Sequence, residues 1–134
     1  MIGLLIVAHG TLGDSLIQCA THVLGQRPSG LEAVDIMAYG SPEAMQAAAD
    51  AHIRSLDQGE GVMVLTDLYG ATPSNTVCKL IQPGHVEVVS GVNLPMLLKV
   101  LNYHRRESLP QLMQRAERGG QEGIFSVETC HCDA

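Results

Sequence analysis

The sequence predicts an α/β fold: an open, mostly parallel β-sheet with helices on both faces. Three observations carry that prediction. Aliphatic runs of strand length, Ile2 to Ala8 and Gly61 to Asp67, each stop at a polar residue followed by a glycine-containing turn, the pattern of strands buried on both faces. Between such runs, apolar residues recur at three- and four-residue spacing, the period of an amphipathic helix. The two patterns alternate along the chain, so a crossover helix follows nearly every strand. With 134 residues, 46% of them hydrophobic and 16% charged, the chain has enough material for one core and too little for two ordinary ones. Residues 1–134 are therefore read as a single domain.

Ile2 to Ala8 forms the first strand, ended by His9-Gly10. From Asp14 to Leu24 the apolar positions Leu16, Ile17, Ala20, Val23 and Leu24 make a helix with Gly25 as its stop. Leu31 to Ala38 is a weaker strand. Ser41-Pro42 supplies an N-cap and a first-turn proline, and Met45, Ala48, Ala49, His52, Ile53 and Leu56 form one stripe of a helix ending by Gly59. Gly61 to Asp67 is the third strand. Thr72-Pro73 repeats the cap and proline signature, with Val77, Leu80 and Ile81 on the buried face and Pro83-Gly84 closing the helix. His85 to Ser90 is a fourth strand, and Asn93-Leu94-Pro95 opens a helix to about Arg105. Ser108-Leu109-Pro110-Gln111 has capping-box spacing for another, ended by Gly119-Gly120. Gly123 to Glu128 is a last strand-like segment. Its glycine-rich approach leaves two placements, antiparallel at an edge of the sheet or exchanged with a neighbouring subunit of a dimer.

Eight Lys and Arg against 14 Asp and Glu leave a formal charge of -6. That sign argues against nucleic acid as a partner. No apolar stretch approaches the length of a membrane span, and the first strand lacks a basic leader and a cleavage site, so direct membrane insertion is not expected and the expected location is the cytoplasm. Four cysteines, Cys19, Cys78, Cys130 and Cys132, are too few and too irregular for a disulfide frame. Cys19 and Cys78 read as buried helix thiols. Cys130-His131-Cys132 lacks the second spaced pair of a closed zinc site, so no metal and no cofactor are expected.

Ligands of open α/β sheets bind beyond the carboxyl ends of strands, where the topology reverses. His9 and Asp67 hold such positions on the first and third strands. If those strands are neighbours, the carboxylate takes a hydrogen bond from one ring nitrogen of His9 and leaves the other as a nucleophile. That arrangement suits acceptance of a phosphoryl group. An anion cradle follows in sequence: Gly70 and Ala71 bring backbone close, and the helix start near Thr72 presents free N–H groups beside the Thr72 hydroxyl. Pro73 donates nothing, so Thr72, Ser74 and Asn75 supply the donors, with Gly10 beside the histidine. His22, His52, His85 and His104 lie away from strand carboxyl ends and read as structural or surface residues. No Gly-Lys-Ser/Thr ending, Gly-x-Gly-x-x-Gly or Gly-x-Ser-x-Gly occurs, which argues against a nucleotide site and a hydrolase elbow.

Three segments carry a resemblance to a known family: Leu5-Ile6-Val7-Ala8-His9-Gly10, Asp67 to Asn75, and Ser90-Gly91-Val92-Asn93-Leu94-Pro95-Met96-Leu97. Over essentially its whole length the chain resembles the enzyme IIA domain, mannose (mannose/fructose/sorbose) class, of the bacterial phosphoenolpyruvate-dependent sugar phosphotransferase system. The resemblance implies that His9 is phosphorylated, through its ε nitrogen, that Asp67 hydrogen-bonds the other nitrogen, and that Thr72 stands near the phosphate. It implies a phosphocarrier that takes the group from the histidine-containing phosphocarrier protein and passes it to an enzyme IIB protein, here expected as a separate chain. It also implies a homodimer with an exchanged terminal strand. Ala71 departs from the family, which commonly has a second glycine there. Two other roles fit the same residues: a regulatory sensor of phosphorylation state, and the phosphotransfer subunit of a dihydroxyacetone kinase. That last branch usually has Ser after the active histidine, where this chain has Gly10.

Overall fold

The computed structural model describes residues 1–68 and 76–128. Its elements are β1 (Gly3–Ala8), α1 (Leu12–Leu24), β2 (Leu31–Asp35), a 3-10 turn (Ile36–Ala38), α2 (Pro42–Leu56), β3 (Val62–Thr66), β4 (Val86–Ser90), α3 (Leu94–Tyr103) and α4 (Leu109–Glu122). The four strands form one sheet in the order β2-β1-β3-β4, every neighbouring pair parallel. The chain leaves β1 towards β2 on one side. It returns through α2 to β3 on the other, so the topology reverses between β1 and β3.

Every residue of β1 and β3 is buried, as their unbroken aliphatic runs require. Side chains alternate across the sheet, and the core divides accordingly. Leu4, Ile6, Met63 and Leu65 pack with Leu16 and Ile17 of α1, Met96 and Leu97 of α3, and Leu112 of α4. Leu5, Val7, Val62 and Val64 pack with Met45, Ala49 and Ile53 of α2 and with Val77 and Leu80. Each large aliphatic side chain fully removed from water contributes about 1.5–3 kcal/mol, so the two central strands anchor the fold and fix where their carboxyl ends lie.

The helix starts follow their sequence signals. Ser41 accepts a hydrogen bond from Ala44 N (3.1 Å), with Pro42 in the first turn. Asn93 accepts from Met96 N (2.9 Å), and Ser108 with Gln111 completes a reciprocal capping box. Several expectations are corrected. The second strand ends at Asp35 instead of Ala38, because the Asp35 carboxylate accepts from Met37 N and turns the chain into the 3-10 segment. The apolar stripe of α1 is buried only as far as Ala20, leaving Val23 and Leu24 exposed, and Cys19 is exposed as well. Ile81 is 37% exposed, beside fully buried Val77 and Leu80.

Gly119 and Gly120 do not end the last helix, which runs on to Glu122. Both are buried contact points with α3. A Cβ on Gly119 would lie 2.8 Å from the Lys99 Cβ, and one on Gly120 2.9 Å from the Met96 Cε, while Asn93 Nδ2 donates to Gly120 O (3.1 Å). These glycines allow two helices to approach closely. Among the described residues, 124–128 pair with no strand, so the expected antiparallel edge strand is not formed there; Ile124, Phe125 and Val127 are all more than 70% exposed. Among the described residues no helix is long and apolar enough to cross a membrane.

Candidate functional site

At the carboxyl edge of the sheet, the β1–β2 register ends at Ala8 opposite Asp35, and the β1–β3 register at Val7 opposite Thr66. His9 and Gly10 are the next residues of the central strand's path, flanked by Asp35 on one neighbour and Asp67 on the other. The sequence expectation that His9 and Asp67 meet holds: His9 Nδ1 is 2.8 Å from Asp67 Oδ2. The same oxygen accepts from the backbone N–H of His9 at 3.0 Å. One carboxylate oxygen thus holds both the main chain and the ring of the histidine.

Asp67 is mostly buried, with its side chain 14% exposed, whereas that of His9 is 39% exposed. Burial pushes the Asp67 carboxyl up. The hydrogen bonds from the His9 N–H and ring, with the attraction of the imidazole, outweigh burial and hold it below the usual carboxylate range. Among the described residues Asp67 Oδ1, which is buried, has no hydrogen-bond partner, and the contacts to the carboxylate run through Oδ2. An ionised carboxylate only accepts hydrogen bonds, and this contact therefore selects the tautomer with its proton on Nδ1. Among the described residues Nε2 has no hydrogen-bond partner. Its lone pair is available in a half-exposed ring of fixed orientation.

Gly10 adopts φ 60, the left-handed turn that a side chain disfavours, and this lets the chain swing from β1 into α1 straight after the histidine. Its N–H donates to Asp35 Oδ1 at 2.9 Å. Sequence reasoning passed over Asp35, counting it inside a longer strand. The available signal was an aspartate in an otherwise weak strand pattern, a residue type that caps its own turn. The expected cradle residues Gly70, Ala71, Thr72, Ser74 and Asn75, and the Thr72-Pro73 helix start, lie outside the described residues, as do Cys130, His131 and Cys132.

The other histidines have other occupations. His104 is buried, its Nδ1 donating to Ile2 O at 2.9 Å. His52 pairs with Glu32 and His85 with Asp57, and His22 is exposed. No group of three metal-ligating side chains occurs among the described residues. A concavity of about 440 Å³ between Lys99 on α3 and Gln111, Arg115 and Arg118 on α4 includes neither His9 nor Asp67. Its Arg115 is already paired with Glu107 and stacked on Tyr103.

Comparison with known proteins gives a consistent family likeness. A family model described as "PTS system fructose IIA component" matches residues 3–117. The chain is 29% identical over 129 residues to the "PTS system mannose-specific EIIAB component" of Escherichia coli strain K12, a match covering 95% of this chain and 40% of that protein. The chain thus spans well under two thirds of that relative's length. It is 25% identical to the "PTS system fructose-specific EIIA component" of Bacillus subtilis strain 168, over 99% of this chain and 90% of that one. The crystal structure of phosphotransferase system component EIIA from Streptococcus agalactiae superimposes with a TM-score of 0.83 at 27% identity, covering 97% of this chain and all of that one.

Proposed function

This chain belongs to the mannose-class enzyme IIA family of sugar phosphotransferase components, and from that premise we propose that it is a phosphocarrier in which His9 accepts a phosphoryl group and hands it on. The donor is the histidine-containing phosphocarrier protein and the acceptor an enzyme IIB protein. The observation that carries this reading is the 2.8 Å contact of His9 Nδ1 with Asp67, which leaves Nε2 as the outward nucleophile at the topological switch point.

In the forward step the Nε2 lone pair attacks the phosphorus of the donor's phosphohistidine in line. A new P–N bond forms as the donor's P–N bond breaks, and the departing imidazole retains the electron pair. The Nδ1 proton of His9 stays in its hydrogen bond to Asp67, which offsets the positive charge the ring develops. Transfer to the IIB protein is the same displacement with His9 as leaving group. Catalysis is then mainly positioning and charge stabilisation. Gly70, Ala71, Thr72, Ser74 and Asn75 are assigned to hold the phosphoryl oxygens, with Gly10 shaping the turn after His9. No cofactor is required, and the cytoplasmic location follows from the donor. The active form is a homodimer in which residues 124–128 pair with the second copy, a reading supported by the exposed Ile124, Phe125 and Val127.

The reading is tested by incubating the protein with phosphoenolpyruvate, enzyme I and the histidine-containing phosphocarrier protein. An acid-labile phosphoryl adduct that disappears in His9→Ala is expected. Labelling of the His9→Ala protein equal to that of the unmodified one overturns it.

A further inference from the structure

A second carboxylate bears on the same histidine from the opposite side of β1. The two peptide planes that flank the His9 Cα end in the N–H groups of His9 and Gly10. Both lie beyond the last residue pairs of the sheet, where neither ladder supplies a partner. Each is taken by a carboxylate from a flanking strand: His9 N by Asp67 Oδ2 at 3.0 Å, and Gly10 N by Asp35 Oδ1 at 2.9 Å. Fixing both planes fixes φ and ψ of His9, and hence the direction in which its Cβ and ring leave the backbone.

We infer that Asp35 is a positioning residue for phosphoryl transfer, holding the His9-Gly10 peptide so that Nδ1 of His9 stays on Asp67 and Nε2 faces the donor. The inference rests on the phosphocarrier reading above. Asp35 is suited to this task because it is itself held. It closes β2, is half-buried, and its Oδ1 also accepts from Met37 N at 2.8 Å, so one oxygen ties the turn after β1 to the turn after β2. Asp67 cannot do this alone. It fixes the plane before His9 and the ring nitrogen, but the plane after His9 is held at its carbonyl end only by a long bond from Leu12 N (3.3 Å), in a glycine turn with wide intrinsic freedom. Without Asp35 that plane keeps only the long Leu12 contact and can tilt about it, and displacement of the attacking nitrogen by about 1 Å costs on the order of 100-fold in rate.

The test compares Asp35→Ala, which removes the acceptor, with Asp35→Asn, whose carboxamide oxygen still accepts from Gly10 and Met37. In rapid-quench transfer from the phosphorylated histidine-containing phosphocarrier protein, Asp35→Ala should lose about 10- to 100-fold in the rate at saturating donor, with the half-saturating donor concentration unchanged. Asp35→Asn should remain within about threefold of the unmodified protein, because the hydrogen bonds survive. Transfer at full rate by Asp35→Ala overturns the inference. So does an Asp35→Asn as slow as Asp35→Ala, or an effect confined to donor concentration. An independent reading comes from nitrogen-15 correlation spectra of the His9 ring without any phosphoryl donor: one Nδ1–H tautomer in the unmodified protein and Asp35→Asn, a mixture in Asp35→Ala. If the unmodified protein takes no phosphoryl group on His9, the phosphocarrier reading fails. The ring spectra then decide the role of Asp35 alone, and identical spectra for all three proteins refute it.

Discussion

His9 Nδ1 and Asp67 Oδ2 lie 2.8 Å apart although the residues are 58 positions apart in sequence; the parallel pairing of β1 with β3 brings them together. Every residue of both strands is buried, so the register is held by the core on both faces. Replacing Asp67 by Asn keeps the shape but removes the charge that selects the Nδ1–H tautomer. Asp67→Asn should slow phosphoryl acceptance by about 10–100-fold, the usual cost of losing a group that orients a histidine through its other nitrogen. The urea midpoint should change little. Rapid-quench labelling beside equilibrium unfolding checks this, and an unaltered rate would contradict it.

His104 gives the fold a dependence on pH separate from that of the site. Burial pushes its pKa below the ordinary 6.5; the Ile2 carbonyl opposes this, and the positive charges of Arg105 and the chain N-terminus reinforce it. The folded protein therefore holds His104 neutral where the unfolded chain would bind a proton. Stability from this group is complete above about pH 6.5 and is lost as pH falls below that value towards the lowered one, with a slope of at most about 1.4 kcal/mol per pH unit. Urea unfolding at pH 7 and pH 5 should show a smaller acid loss in His104→Gln than in the unmodified protein. Equal losses in the two would refute the assignment.

Gly119 tests the close approach of α3 and α4. Helix propensity alone makes Gly→Ala in a helix interior stabilising by about 1 kcal/mol. Here the added Cβ would meet Lys99 Cβ at 2.8 Å, so Gly119→Ala should destabilise by about 1–3 kcal/mol, the cost of overpacking. Chemical denaturation gives the sign directly, and a more stable Gly119→Ala would show that the helices can part without loss.

Phe125 tests the proposed homodimer. It is 73% exposed in the single chain, a large apolar surface that pairing with a second copy would cover. Sedimentation equilibrium should show a dimer for the unmodified protein and a shift to monomer for Phe125→Asp. A monomeric unmodified protein, or a dimer indifferent to the substitution, would contradict the assembly.

The strands, and the placement of His9 and Asp67 at the carboxyl ends of the first and third, were legible because continuous aliphatic runs and polar stops are local signals; that those two strands are neighbours came only from the structure. Pro42, Asn93 and Ser108 likewise marked helix starts through chemistry confined to four residues. The rest depended on contacts distant in sequence. Gly119-Gly120 carries the local signature of a helix stop, yet the pair serves an interhelical contact with residues some 20 positions earlier in the sequence. Asp35 read as an interior residue of a longer strand; its place at the strand end and its hydrogen bond to Gly10, which crosses 25 positions, leave no periodic trace. Val23 continues the helical stripe of α1 in sequence, yet it is 58% exposed, because burial depends on what packs against the helix and not on its period.

The most direct measurement is phosphorus and nitrogen-15 magnetic resonance of the phosphorylated protein, with the modified residue mapped. The account predicts a single phosphohistidine at His9 bonded through Nε2, with Nδ1 still protonated against Asp67. A phosphoryl group on Nδ1 of His9, or on any of the other histidines, would contradict it.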